Sequence, residues 1–134
     1  MTERELNEVR ELRSEINDLE RKIELMRGAL NNIVPLRNGM PQGRGQESRI
    51  EKLVVQITEL ETELLELKKR REQATIRITG AICAANLSGK EASVIWRRYV
   101  KCMRFRDIGL ELHYSDAHVF NLHRRGLKKI VSKP

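Results

Sequence analysis

Cysteine is scarce: Cys83 and Cys102 are the only two in 134 residues. They lie far apart and fit no metal-ligand spacing. Neither a disulfide framework nor a cysteine metal site is expected, which suits a reducing compartment. Aromatic residues make up 4% of the chain and charged residues 34%. That balance favours long solvated helices over one large globular core. No run approaches the ~20 apolar residues that cross a bilayer. The opening MTERELNEVRELRSEI has no apolar stretch of the kind a secretory signal needs. The expectation is a cytoplasmic chain with no membrane partner. Also missing are a convergent Asp/Glu/His set, a phosphate loop and a nucleophile-base pair at usable spacing. An enzyme is therefore not expected, and neither a cofactor nor a metal is implied.

What the chain does have is charge, unevenly placed. The formal net charge is +7, and the sequence pI is about 9.8. Residues 1–46 hold eight Lys/Arg and eight Asp/Glu, and residues 47–87 hold seven of each. Residues 88–134 hold eleven Lys/Arg and four Asp/Glu, so the whole excess lies there. A neutral body with one basic module is the electrostatic footprint of nucleic-acid binding.

The neutral body repeats every seven residues. Val9, Ile16, Ile23 and Leu30 take one seam position, and Leu12, Leu19, Met26 and Ile33 take the other. Four heptads of this kind are the signature of a coiled coil. The pattern stops at VPLRNGMPQGRGQ, where two prolines and three glycines predict a loop over 34–46. A second repeat follows, with Ile50, Ile57, Leu64, Arg71 and Ile78 on one position and Leu53, Leu60, Leu67, Ala74 and Ala81 on the other. Two equal stripes of ~30 residues, each ~45 Å long as helix, predict an antiparallel hairpin. Folding about residues 41–42 sets Leu19 beside Leu64, Met26 beside Ile57 and Ile23 beside Leu60. Arg71 breaks the seam and is expected to snorkel to water near the open end. Leu6, Leu25, Val54, Val55, Leu65 and Ile76 fall off the stripe. They allow a second chain to pack there, so a homodimer or higher homo-oligomer through residues 4–82 is expected.

The last third carries a different pattern. Ser88 with Glu91 predicts a capping box opening a helix through ASVIWRRYV. Val94 or Trp96, with Ile95 and Tyr99, forms its inner face. A short helix of about 104–112 sets Phe105, Ile108 and Leu112 on one side, with small Gly109 between them. His113 and Tyr114 make a turn, and Ser115 caps a final helix whose inner face is Val119, Leu122, Leu127 and Ile130. Together these offsets match the hydrophobic template of a helix-turn-helix. The predicted fold is all-α: a long helical hairpin over 1–83, then a helix-turn-helix domain over 84–134.

Arg98-Tyr99, Phe105, Ile108-Gly109, Leu112-His113-Tyr114-Ser115, His123, Leu127 and Ile130 carry a more specific likeness. The segment resembles region four of bacterial sigma factors. It is still more similar to the ArpU-like and RinA-like phage transcriptional regulators that share that module. The resemblance covers about residues 88–131. It implies a phage or prophage protein acting on late genes in a bacterial host cell. His113 departs from the pattern, because such turns usually have Gly there. A positive φ with modest strain is expected.

In the sigma-like family, base-reading positions fall on Asp116, Ala117, Phe120 and Asn121. His118 joins them on the outward side of the final helix. Asn121 suits adenine, and Ala117 or Phe120 suits a thymine methyl. Asp116 has a second use at the positive end of the helix. Phe120 is equally suited to a partner subunit or another helix. Phosphate contacts are expected from Lys101, Arg104, Arg106, Ser115, Arg124, Arg125, Lys128 and Lys129. His118 and His123 sit ~140° apart on a helix, so they do not converge on one metal ion. The expected function is a sequence-specific regulator bound to double-stranded DNA. Two alternatives stand beside it: a DNA-packaging protein of small-terminase type, and an interaction module that binds RNA polymerase.

Overall fold

A computed structural model describes the backbone of residues 1–37 and 44–131, and the side chains of 1–33 and 48–131. Among these residues all regular structure is helical: α1 (Glu3–Leu6), α2 (Glu8–Arg37), α3 (Arg44–Ala84), α4 (Gly89–Tyr99), α5 (Phe105–Leu112) and α6 (Asp116–Val131). The fold is all-α. Among the described residues, no helix is long and apolar enough to cross a membrane.

The helices invade the loop expected at 34–46. α2 runs on to Arg37 and α3 already starts at Arg44. Pro35 lies two residues before the end of α2, where it forfeits one ladder bond and not the helix. Gly45 falls in the first turn of α3, whose N–H groups have no partner within the helix in any case. Pro41, Gly39 and Gly43 lie outside the described residues.

Two compact units divide the chain. One is Ser14–Lys69, and the other joins Met1–Arg13 to Arg70–Pro134. In the first unit the heptads do what their spacing demands. Ile16, Leu19 and Ile23 of α2 are buried, as are Ile50, Ile57 and Leu67 of α3. Arg27 pairs with Glu61, and Lys68 lies 3.7 Å from Glu20. A step of seven residues up one helix matches seven down the other, so the two run antiparallel. These ion pairs bring the seam neighbours Leu19 and Leu67, and Met26 and Leu60, to the same level. Leu19 shares a surface groove with Leu67, and Ile23 shares one with Leu64. The register thus lies about one turn along α3 from the facing of Leu19 with Leu64 and Met26 with Ile57. Heptads fix the seam and leave the slide along it open. At this slide apolar still meets apolar, and the flanking charges join as pairs.

The second unit gathers both ends of the chain. Leu6, Val9, Leu12, Ala74, Ile78 and Ile82 are buried in it. Leu6 was expected among the exposed apolar residues, but it is fully buried. The Thr2 side chain caps α1 by accepting from the Glu5 N–H at 3.2 Å, and the helix closes at Asn7. Leu6 shares one face with buried Val9 and Leu12, three and six residues on. The Arg10 side chain donates to the Arg98 carbonyl at 3.3 Å, and Arg13 donates to the Lys101 carbonyl at 3.1 Å. Arg77 and Glu8 pair at 2.6 Å. Such bonds across the chain are why compactness does not divide it at 83/84. The remaining off-stripe residues, Leu25, Val54, Val55, Leu65 and Ile76, are exposed as expected.

Candidate nucleic-acid interface

The three short helices of the second unit build a core from Val94, Ile108, Val119 and Leu122. Met103, Phe105, Leu112 and Tyr114 pack around it. α4 opens on the capping box read from sequence. Ser88 accepts from the Glu91 N–H at 3.2 Å, and the Glu91 carboxylate accepts from the Ser88 N–H at 3.0 Å. Ile95 is fully buried along with Val94. α6 crosses α4 at Gly126, where an added Cβ would lie 2.7 Å from Cγ1 of Ile95. This close approach explains a difference from the expected inner face of α6. Gly126 is buried there and Leu127 only half-buried, because positions 119, 122, 126 and 130 share one stripe.

The turn between α5 and α6 sets the angle of the final helix. His113 ends α5 at φ 59° and ψ 41°, the left-handed conformation expected of it. The Tyr114 N–H then closes onto the Gly109 carbonyl at 2.9 Å. Gly109 is required for this closure: a Cβ there would lie 2.9 Å from the Tyr114 carbonyl oxygen. Ser115 caps α6 by accepting from the His118 N–H at 3.2 Å.

Helical phase then sorts the outward residues of α6. Ala117, Asn121, Arg124 and Lys128 recur every three or four positions, directly opposite the buried stripe at 100° per residue. All four are exposed, as are Asp116, Phe120 and Arg125 on the flanks. Arg124 donates to the Asn121 side-chain oxygen at 3.2 Å. His118 is half-buried, edge-on to Tyr114 with ring centroids 4.7 Å apart. It stands at the margin of the outward stripe.

Phe120 meets another helix, one of the contacts the sequence left open. It packs on Phe105 at a centroid distance of 5.0 Å and still leaves 51% of its surface exposed. Phe105 in turn lies under the Arg98 guanidinium at 4.1 Å and edge-on to His123 at 4.8 Å. The Tyr99 hydroxyl is hydrogen-bonded to Nε2 of His123 at 2.8 Å. Burial lowers the His123 pKa, with help from the Arg98 charge, and burial raises that of Tyr99. His123 is thus a neutral hydrogen-bonding strut between α4 and α6. Among the described residues, no three His, Cys, Asp or Glu side chains gather as metal ligands would.

The basic residues divide into two groups. Arg106, Arg124, Arg125 and Lys128 are exposed. Arg104, its side chain 83% exposed, pairs with Asp107 at 3.0 Å. Lys101 lies 3.8 Å from Glu111 and 5.5 Å from the Trp96 ring centroid. Lys129 has a structural task. Its ammonium donates to the buried Glu91 carboxylate at 2.7 Å. That bond and the Ser88 N–H hold the Glu91 pKa down at about 2. Lys129 is therefore set apart from the outward stripe and joins the end of α6 to the start of α4. Sequence reading missed two further cations at this end of the molecule, Arg10 and Arg13. No family model, curated protein or solved structure matches the chain.

Proposed function

We propose that the chain is a sequence-specific, double-stranded-DNA-binding transcription regulator. On this reading α5, the His113 turn and α6 form a helix-turn-helix, and α6 is its recognition helix. The observation that carries it is the stripe of Ala117, Asn121, Arg124 and Lys128 opposite the packed face of α6. A small residue and a carboxamide lie near its start, with cations further on. Major-groove readout needs this order: base-edge contacts from the first turns and phosphate contacts behind them. The local charge excess of residues 88–134 supports the same reading. The resemblance to ArpU-like and RinA-like regulators adds phage or prophage origin and action on late genes.

On the same reading the paired long helices are an oligomerisation module. Exposed Leu25, Val54, Val55 and Leu65 support a second chain packing there. Sedimentation equilibrium tests this part, and a monomer at high micromolar concentration overturns it.

The experiment for the main reading is repeated selection of bound fragments from random duplex DNA, followed by gel shifts. A recovered motif whose binding is lost in Asn121→Ala supports direct readout. Equal binding to all duplexes, with only a salt-dependent component, contradicts sequence specificity. No binding to any duplex at any salt contradicts the DNA reading and favours an RNA polymerase partner.

A further inference from the structure

The linker between α4 and α5 is approached from the far end of the chain. Arg10 and Arg13, on the first turns of α2, donate to the carbonyls of Arg98 and Lys101. By charge count the first 46 residues are neutral, which conceals how that charge is arranged. Leu6, Val9 and Leu12 face inward. At 100° per residue, Arg10 and Arg13 then lie on one side of α2. Glu8 and Glu11 lie on the other side, where Glu8 pairs with Arg77. The cationic side is the one turned to the linker.

That linker already carries the exposed cations Lys101 and Arg104, and Arg106 follows in the first turn of α5. Arg13 is exposed and spends one Nη on the Lys101 carbonyl, which leaves further N–H donors on its guanidinium. Arg10 lies close enough to Arg98 for the two charges to oppose each other. Among the described residues neither guanidinium has a carboxylate bound to it, and the acids nearby, Glu3, Asp107 and Glu111, are outnumbered by Arg10, Arg13, Arg98, Lys101, Arg104 and Arg106, so the cluster favours a bound anion. The entry to the first helix of a helix-turn-helix is also where the DNA backbone passes.

We propose that Arg13 and Lys101, backed by Arg10, form a phosphate-binding patch. Through it the N-terminal helix grips the DNA backbone. This rests on the DNA-binding reading above. It adds a contact that local sequence near the module does not contain. It gives the first thirteen residues a role in affinity with none in base choice.

The test compares the full-length protein with Arg13→Gln and Arg13→Lys on a fluorescein-labelled 30-base-pair duplex of random sequence. Anisotropy is read from 50 to 300 mM salt, and melting of each variant is followed by circular dichroism. Arg13→Gln is expected to lower the slope of log affinity against log salt by about 0.9, the value for one lost phosphate contact. Arg13→Lys is expected to keep that slope. A double Arg10→Gln, Arg13→Gln variant is expected to weaken binding further while a selected motif stays preferred over random DNA. If Arg13→Gln keeps the wild-type slope, or if Gln and Lys lower affinity equally along with melting temperature, Arg13 is only a clamp and the patch is refuted. If the wild type binds no duplex at all, the DNA reading itself fails.

Discussion

Residues 14–69 and the three short helices at the end of the chain are both helical and amphipathic, but they make different demands on sequence. The long pair needs one apolar stripe per helix. Its buried residues keep a few per cent of their surface, and many of its seam positions are only half-buried. The short helices converge on a core in which Val94, Ile95, Ile108 and Val119 have no exposed surface. They also depend on two glycines at close approaches and on two non-glycine residues at positive φ, Cys102 and His113. A stripe tolerates a slide or a truncation. A small three-helix core with fixed crossings does not.

The largest contrast should appear on truncation. Ile108→Ala is expected to cost about 2–5 kcal/mol, as for fully buried Ile. Ile57→Ala, on the open stripe, should fall at the low end of that range. Urea titration followed by circular dichroism measures both. Equal losses would erase the distinction between stripe and core.

Crossing geometry comes next. Gly109→Val should cost roughly 1–3 kcal/mol through overpacking against the Tyr114 carbonyl. Gly28→Val, inside α2 with open space around its Cβ position, should leave stability unchanged or raise it by roughly a few tenths of a kcal/mol, because Gly is the poorer helix former. Thermal melting of the two variants makes the comparison.

A smaller effect concerns pH. The folded Glu91 pKa of about 2 lies below its ordinary value of 4.5. The carboxylate therefore adds stability that is fully present above pH 4.5 and is lost as pH falls toward 2. His123 has the same sign: its lowered pKa gives stability at neutral pH that is lost as pH falls below its usual 6.5. Glu91→Gln should flatten the stability profile between pH 4.5 and 2 while leaving the His123 step in place. An unchanged profile in that range would show that Lys129 and Ser88 do not stabilise the charged form. The smallest effect is at the turn. His113→Gly should leave stability unchanged or raise it by about 1 kcal/mol, because Gly enters the left-handed region without strain. A loss on this change would mean that the His113 side chain carries a contact of its own.

How much of this was legible beforehand follows from range. Local signals were plain: the Ser88–Glu91 box, the His113 turn, the Ser115 cap and the heptad seams all depend on residues within one or two turns. The phase of α6 was nearly legible, but whether Gly126 or Leu127 packs against α4 depends on how close two helices come. Lys129 looked like a phosphate contact because its partner, Glu91, lies 38 residues away. Arg10 and Arg13 were hidden by a neutral charge count, and only their separation from Glu8 and Glu11 by helical phase points to them. The slide along the seam of the long pair was not legible either, since several registers satisfy the same heptads.

The central claim is that α6 reads base edges, and a ratio of affinities tests it most directly. The full chain is titrated at about 0.15 M salt with a duplex carrying the selected motif and with one carrying it scrambled, for wild type and Asn121→Ala. The account predicts at least ~10³-fold preference for the motif in the wild type. It also predicts that Asn121→Ala loses about 1–3 kcal/mol of that preference with unchanged melting. Equal affinity for the two duplexes in the wild type would contradict it.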